Sequence, residues 1–271
     1  VVGRFSGSQS LAAVGSTTAL INIFTNLFIG ISLGANVLAA RYYAAGRDKE
    51  MSEAVHTAIF LALISGLIMA VVGVGASRFA LTLMGTPDDV IDLSVLYMRI
   101  YFMGMPFFML YNYGAAILRA VGDTKRPLFY LIAAGLANVV LDLLLVIVIP
   151  LNVAGVAVGT VASQMVSCIL VLRCLYRTEG SYQLRFSRLT IKSEHLKMIF
   201  QVGVPAGIQS TVINFSNALL QSSVNSFGST AMAGYTAANN IIGFLYSAVN
   251  AVTQACMSFT SQNYSVGKPK R

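Results

Sequence analysis

Charge is scarce in this chain. Of its 271 residues, 10% are Asp, Glu, Lys or Arg, and there are only three cysteines and two histidines. Cys168, Cys174 and Cys256 lie within or at the ends of apolar runs and show no CxxC spacing. That excludes a disulfide framework and a thiolate metal site, and leaves the cysteines as small apolar fillers. His56 and His195 sit at the ends of apolar runs, and Asp142 is the lone acidic residue deep within one. The histidine, paired carboxylate or activated serine of an intramembrane hydrolase is therefore missing, and an enzyme is not expected. No lysine lies deep within an apolar run, which removes a retinal Schiff base. No outward pair of cysteines suits a receptor-type disulfide. The net charge of +8 is spread over short gaps instead of forming a patch, so nucleic acid is not an expected partner.

What the chain has in abundance is apolar length. Hydrophobic residues make up 56% of it and mean hydropathy is +0.73, more apolar surface than a soluble core could cover. Seven runs stand out: Leu11 to Ala39, Ala54 to Phe79, Leu93 to Leu118, Leu128 to Ile149, Val153 to Leu172, Leu196 to Val224 and Ala231 to Ser261. At about 1.5 Å per helical residue, each is long enough to cross about 30 Å of hydrocarbon. Fifteen of the eighteen basic residues fall in alternate gaps, from Arg41, Arg47 and Lys49 through Arg119, Lys125 and Arg126, then Arg173 to Lys197, to the tail ending at Arg271. The intervening gaps are acidic, with Asp88, Asp89 and Asp92, or nearly bare, at Pro150 to Ala154 and Phe227 to Ser229. The positive-inside rule places the basic gaps and the Arg271 tail in the cytoplasm, and anionic lipid is an expected neighbour.

Sliding the chain by 221 positions matches Gly7 to Glu50 with Gly228 to Arg271. Both copies run from a Gly-Ser turn through a long helix to a Tyr-x-x-Gly exit, Tyr43 to Gly46 and Tyr264 to Gly267. An even number of spans separates them, so both enter the membrane from the same face: a parallel repeat about an axis along the membrane normal. Doubling the offset implies a parent of roughly 440 residues in two six-helix halves. The absence of an initial Met and the stop in a basic loop read as a piece of that parent.

Polar residues inside the runs are the candidates for chemistry. A carboxylate in the membrane costs roughly 2.5 to 3.5 kcal/mol on insertion scales, so Asp142 needs a partner or a purpose. Asn138 is one helical turn away, and Thr160 lies at a similar depth in the next span. Their oxygens suit Na⁺, and Asp142 alone suits a proton. Ser210, Asn214, Asn217, Gln221 and Asn225 share one helical face and are expected to line a water-filled cavity, with Gln254 and Gln262 beside them. Around Pro106 the third run gathers aromatic and Met side chains, Tyr111 among them, suited to flat cationic guests, although ordinary packing explains each singly. Pro106 and Pro205 are expected to kink their helices. Arg119 and Asp123 are one turn apart if helical and are expected to lock the cytoplasmic end.

The run Ile117 to Pro127, Ile-Leu-Arg-Ala-Val-Gly-Asp-Thr-Lys-Arg-Pro, closely resembles the cytoplasmic loop signature of the multidrug and toxic compound extrusion (MATE) family. So do Leu11 to Gly15, Gly34 to Asn36 with Tyr42 to Gly46, Asn138 to Asp142, and Gly203 to Gly207, in family order and over essentially the whole chain. The resemblance implies an all-α membrane protein whose seven transmembrane helices are part of a twelve-helix, two-lobed transporter. Residues 1–177 would be helices two to six of the first lobe, 178–194 the cytoplasmic linker, and 195–271 the start of the second lobe. It also implies that Asp142, Asn138 and Thr160 belong to a coupling-cation site, with Arg119, Gly122, Asp123 and Pro127 forming a structural loop. The first helix, which in relatives supplies another acidic member of that site, is not in this chain. The implied activity is antiport: export of amphipathic, cationic drugs in exchange for Na⁺ or H⁺, without a cofactor, by a protein monomeric at full length in a prokaryotic plasma membrane. The rival is a lipid-linked saccharide flippase of the same superfamily. The near absence of basic residues in the spans, Arg99 apart, opposes an anionic pyrophosphate cargo.

Overall fold

The computed structural model describes residues 7–225 and 229–268. The turn expected at 227–229 is thus described only from Ser229, and Lys270, Arg271 and the side chains of Gln221 and Asn225 lie outside the described residues. Each apolar run is a helix, extended beyond its apolar stretch at one or both ends: α1 (Gly7–Ala44), α2 (Asp48–Leu83), α3 (Asp88–Met103) with α4 (Met105–Ala120), α5 (Lys125–Leu143), α6 (Asn152–Arg177), α7 (Ser193–Asn225) and α8 (Ser229–Ser265). Among the described residues six helices are long and apolar enough to cross a membrane, and the bent α3–α4 pair, taken as one span, would be a seventh. No strand occurs among the described residues.

The two copies of the repeat end alike. Arg47 N–H bonds the Tyr42 carbonyl (3.1 Å) and Gly46 N–H the Tyr43 carbonyl (3.2 Å). Lys268 N–H bonds the Asn263 carbonyl (3.0 Å) and Gly267 N–H the Tyr264 carbonyl (3.1 Å). Gly46 and Gly267 have φ of 65° and 72°, the left-handed turn that closes a helix and that glycine adopts without a Cβ clash. The Tyr-x-x-Gly exits are therefore the same C-cap, 221 positions apart.

Small residues set the helix crossings, as expected where lipid supplies no hydrophobic drive between helices. Gly30 and Gly34 of α1 face Gly203 and Gly207 of α7, and the backbones touch. A Cβ on Gly203 would lie 2.5 Å from the Ile31 Cα, and one on Gly207 2.6 Å from the Leu27 carbonyl oxygen. The core beneath α2, α4 and α6 is tightly filled by Phe102, Met105, Met109, Tyr113, Ile117 and Leu118, each no more than 1% exposed. For Phe102, Met105, Met109 and Tyr113, packing is thus the role.

His56 anchors the segment that joins α6 to α7, and His195 the first turn of α7. The His56 Nδ1 is 2.6 Å from the Ser52 carbonyl oxygen, and its Nε2 accepts the Arg185 backbone N–H at 3.0 Å. His195 contacts the Tyr42 hydroxyl through Nδ1 (3.3 Å) and Glu53 through Nε2 (3.4 Å). Thr57 accepts Lys192 N–H and donates to the Thr190 carbonyl, both at 3.3 Å. These bonds hold the connection on the ends of α1 and α2.

Candidate functional site: a carboxylate in the α5–α6 hairpin and a separate inter-helix cavity

α5 and α6 form a tight hairpin because α6 presents Gly155 and Gly159, four residues apart, to α5. A Cβ on Gly155 would lie 2.8 Å from the Leu145 carbonyl oxygen, and one on Gly159 would strike the Asp142 carboxylate. Asp142 is thereby seated directly on the α6 backbone. The Asn138 side-chain N–H points to its Oδ1 at 3.5 Å. Immediately beyond, α5 widens into a π-helical turn, Leu144–Val148, a local irregularity often found beside functional groups. Among the described residues Asp142 is in no ion pair.

Thr160 follows Gly159, but its hydroxyl turns to its own helix, donating to the Val156 carbonyl at 2.9 Å. That local bond is a common resting place for a threonine hydroxyl. Tyr97 of α3 lies close to the same hydroxyl and within electrostatic reach of Asp142. Tyr97 is buried and stacks on Tyr101, centroids 6.2 Å apart. The structure thus brings Asn138 to Asp142 and places Thr160 beside them through Tyr97. Gly159 and Tyr97 are members that the sequence reading missed. The Gly155/Gly159 spacing carried a signal for the first, whereas nothing in α3 marked Tyr97.

A cavity of about 630 Å³ lies between the C-terminal end of α4 and α8. It is lined by Arg119, Gly122 and Thr124 on one side and by Ser247, Asn250, Gln254, Ser258, Phe259 and Gln262 on the other. Gln254 and Gln262 both line it, and the polar residues recur every three or four positions along α8, a stripe legible in the sequence. At the cavity wall α8 is held by three hydrogen bonds: Ser258 to Asn36 Oδ1 (2.9 Å), Ser261 to the Val37 carbonyl (2.9 Å) and Gln262 to the Ala120 carbonyl (2.7 Å). Asn36 is buried and also donates to the Ala116 carbonyl at 2.8 Å, tying α1, α4 and α8 together.

Other expected cavity residues are elsewhere. Tyr111 donates to the Pro127 carbonyl at 3.1 Å and pins α4 to α5. Asn214 donates to the Ser210 carbonyl of its own helix (2.8 Å), and Asn217 is exposed. Neither lines the cavity that holds Gln254.

The loop after α4 corrects one pairing. Arg119 does not reach Asp123. Gly122, at φ 87°, ends α4 in a left-handed turn that directs Asp123 onward, and Asp123 pairs with Arg126 at 3.3 Å and accepts the Arg126 backbone N–H at 3.1 Å. Arg119 lines the cavity instead. Pro127 is buried in the first turn of α5, where a missing N–H costs nothing. Of the two proline kinks, one is displaced: the chain bends by 46° between α3 and α4, at Gly104, and Pro106 starts the new helix. α7 continues through Pro205 as one helix.

A family model described as MatE matches residues 1–144 and 205–271. The chain belongs to the MATE family. It is 30% identical over 271 residues to the probable multidrug resistance protein YoeA of Bacillus subtilis, covering 97% of this chain and 58% of that one. It is 25% identical to an FAD transporter of Shewanella oneidensis, covering 98% and 60%. A crystal structure of a MATE protein in its bent conformation superposes with a TM-score of 0.89 at 23% identity, covering 99% of this chain and 61% of that one. The MATE chain therefore spans about three-fifths of the length of these relatives and has the MATE fold. Family members are multi-pass membrane transporters, and the match favours that class over the flippase.

Proposed function

We propose that the intact transporter is a secondary antiporter that exports amphipathic, cationic compounds in exchange for inward Na⁺ or H⁺. The observation that carries the reading is Asp142: a carboxylate within a membrane span, seated on Gly159, with Asn138 beside it and no basic partner among the described residues. Such a group changes its interactions when it gains or loses a cation, and differential binding of that cation to two arrangements is what drives exchange. Residues 1–177 act as part of one lobe and 195–271 as the start of the other, with 178–194 as the cytoplasmic connection. The basic loops face the cytoplasm of a prokaryotic plasma membrane, the transporter works as a monomer among membrane lipids, and no cofactor is required beyond the coupling ion.

Cargo is proposed to occupy the α4–α8 cavity, whose amides, hydroxyls and Phe259 suit varied amphipathic guests. Arg119 on its wall favours a second reading of cargo charge, amphipathic anions, and one relative is named as a transporter of FAD. Vesicles holding the intact transporter, with Na⁺ and pH gradients imposed separately and a cationic or an anionic dye as cargo, separate these readings. Asp142→Asn is expected to abolish ion-driven efflux while membrane insertion is retained. Undiminished efflux would remove Asp142 from the coupling role.

A further inference from the structure

A second cavity, of about 590 Å³, lies on the other side of the α5–α6 hairpin, where α5 begins and α6 ends. Its walls carry Arg126, Arg173 and Arg177, with Tyr130, Tyr182 and Leu170. Arg173 and Arg177 are one helical turn apart on α6, an arrangement in which like charges repel unless an anion lies between them. All ten carboxylates of the chain are among the described residues, and none pairs with Arg173 or Arg177. Arg126 shares Asp123 and also reaches the Cys174 sulfur at 3.5 Å, which points it across the mouth of the hairpin toward α6. Glu179 is the single acidic residue of the lining, against three guanidinium groups.

Two neighbours define what kind of anion fits. Tyr182, from the segment after α6, packs edge-on against Tyr43 (6.2 Å) and roofs the cavity. Partial burial, reinforced by that phenol, holds Tyr182 above the ordinary phenol value, so it is a donor at any physiological pH. On the opposite side Leu170 lies one turn deeper than Cys174. Beyond it the hairpin surface is apolar and bare, with Phe129, Leu131, Ile132 and Ile169 all at least 48% exposed. The cavity therefore has a cationic, hydrogen-bonding head and opens on a greasy wall.

We propose that this cavity binds the phosphate of an anionic membrane phospholipid, with the guanidinium groups and the Tyr182 hydroxyl on the headgroup and an acyl chain along the α5–α6 surface. Basic pockets between transmembrane helices at the cytoplasmic surface recognise lipid phosphates in this way, and planar guanidinium forks match phosphate oxygens better than ammonium does. Its lining shares no residue with the Asp142 site or with the α4–α8 cavity, so it stands or falls separately from the antiport reading.

The test is lipid retention by the intact transporter. Protein reconstituted in nanodiscs of phosphatidylcholine mixed with phosphatidylglycerol is extracted with detergent, and the lipids that remain bound are counted by native mass spectrometry. Wild type is expected to retain phosphatidylglycerol in preference to phosphatidylcholine, and the double variant Arg173→Gln/Arg177→Gln to lose that preference by about tenfold or more. Soluble glycerol phosphate is expected not to displace the lipid. Equal retention by the double variant, or equal retention of both lipids by wild type, overturns the proposal, and displacement by glycerol phosphate alone makes the cavity a free-anion site instead. Should the double variant fail to fold, the wild-type competition decides alone, with Arg173→Lys/Arg177→Lys reporting whether the fork matters beyond the charge.

Discussion

The position of Asp142 depends on what is absent opposite it. A side chain at Gly159 would displace the carboxylate, because even a Cβ overlaps it. Gly159→Val is therefore expected to cost about 1 to 3 kcal/mol of overpacking strain and to abolish ion-driven efflux as Asp142→Asn does. Efflux at the wild-type rate from Gly159→Val would show that the seat is not needed. Tyr97→Phe probes the neighbouring hydroxyl pair more gently. It removes a polar group from beside Thr160 and Asp142, a change of about 1 kcal/mol, and is expected to weaken half-saturation by the coupling ion about fivefold while leaving maximal efflux intact. Asp142 was conspicuous in the sequence because burying a charge in lipid is expensive, so a lone acid draws notice. Tyr97 was invisible for the opposite reason: a tyrosine in an apolar, aromatic span carries no such cost, and only the crossing of α3 with α6 brings it near Thr160 and Asp142.

Helices repeat that contrast one level up. Their existence was legible, since apolar length and the alternation of charged gaps are properties of a single segment. How they cross depends on residues with no side chain at all. The α1–α7 contact rests on Gly30, Gly34, Gly203 and Gly207, and the close approach follows from backbone meeting backbone. Gly207→Leu is expected to lower the unfolding temperature in detergent markedly, whereas Gly75→Ala, with nothing within 4 Å of the added methyl, is expected to be neutral or to stabilise by roughly 0.5 to 1 kcal/mol through the unfolded chain. Equal melting temperatures for the two variants would mean that this crossing is loose. The α3–α4 bend was legible only to within two residues. Proline marks where a helix can begin, so Pro106 is found just inside α4, while the break itself falls on Gly104, packed against Val161 and Gln164 of α6. Pro205 shows the converse, for a proline flanked by close helix contacts at Gly203 and Gly207 leaves α7 continuous.

Across the whole molecule, the two copies of the repeat meet each other. α1 and α8 carry the same C-cap 221 positions apart, and near those caps they are joined by Ser258 to Asn36 and Ser261 to the Val37 carbonyl, with Gln262 reaching the Ala120 carbonyl of α4. Related helices that touch at one end can separate there only by rotating apart, so these bonds hold α1 and α8 together at that end, beside the cavity that Ser258 and Gln262 line. If export requires that end to open, a covalent tie across it must stop transport. With Cys168, Cys174 and Cys256 replaced, the intact transporter carrying Asn36→Cys and Ser258→Cys is expected to lose efflux when a short bifunctional thiol reagent links the pair, and to regain it on reduction. Either single cysteine treated with the same reagent is expected to stay active, which separates tethering from simple modification. Transport at an unchanged rate by the linked protein would mean that α1 and α8 move as one body, and the opening would then have to lie between other helices.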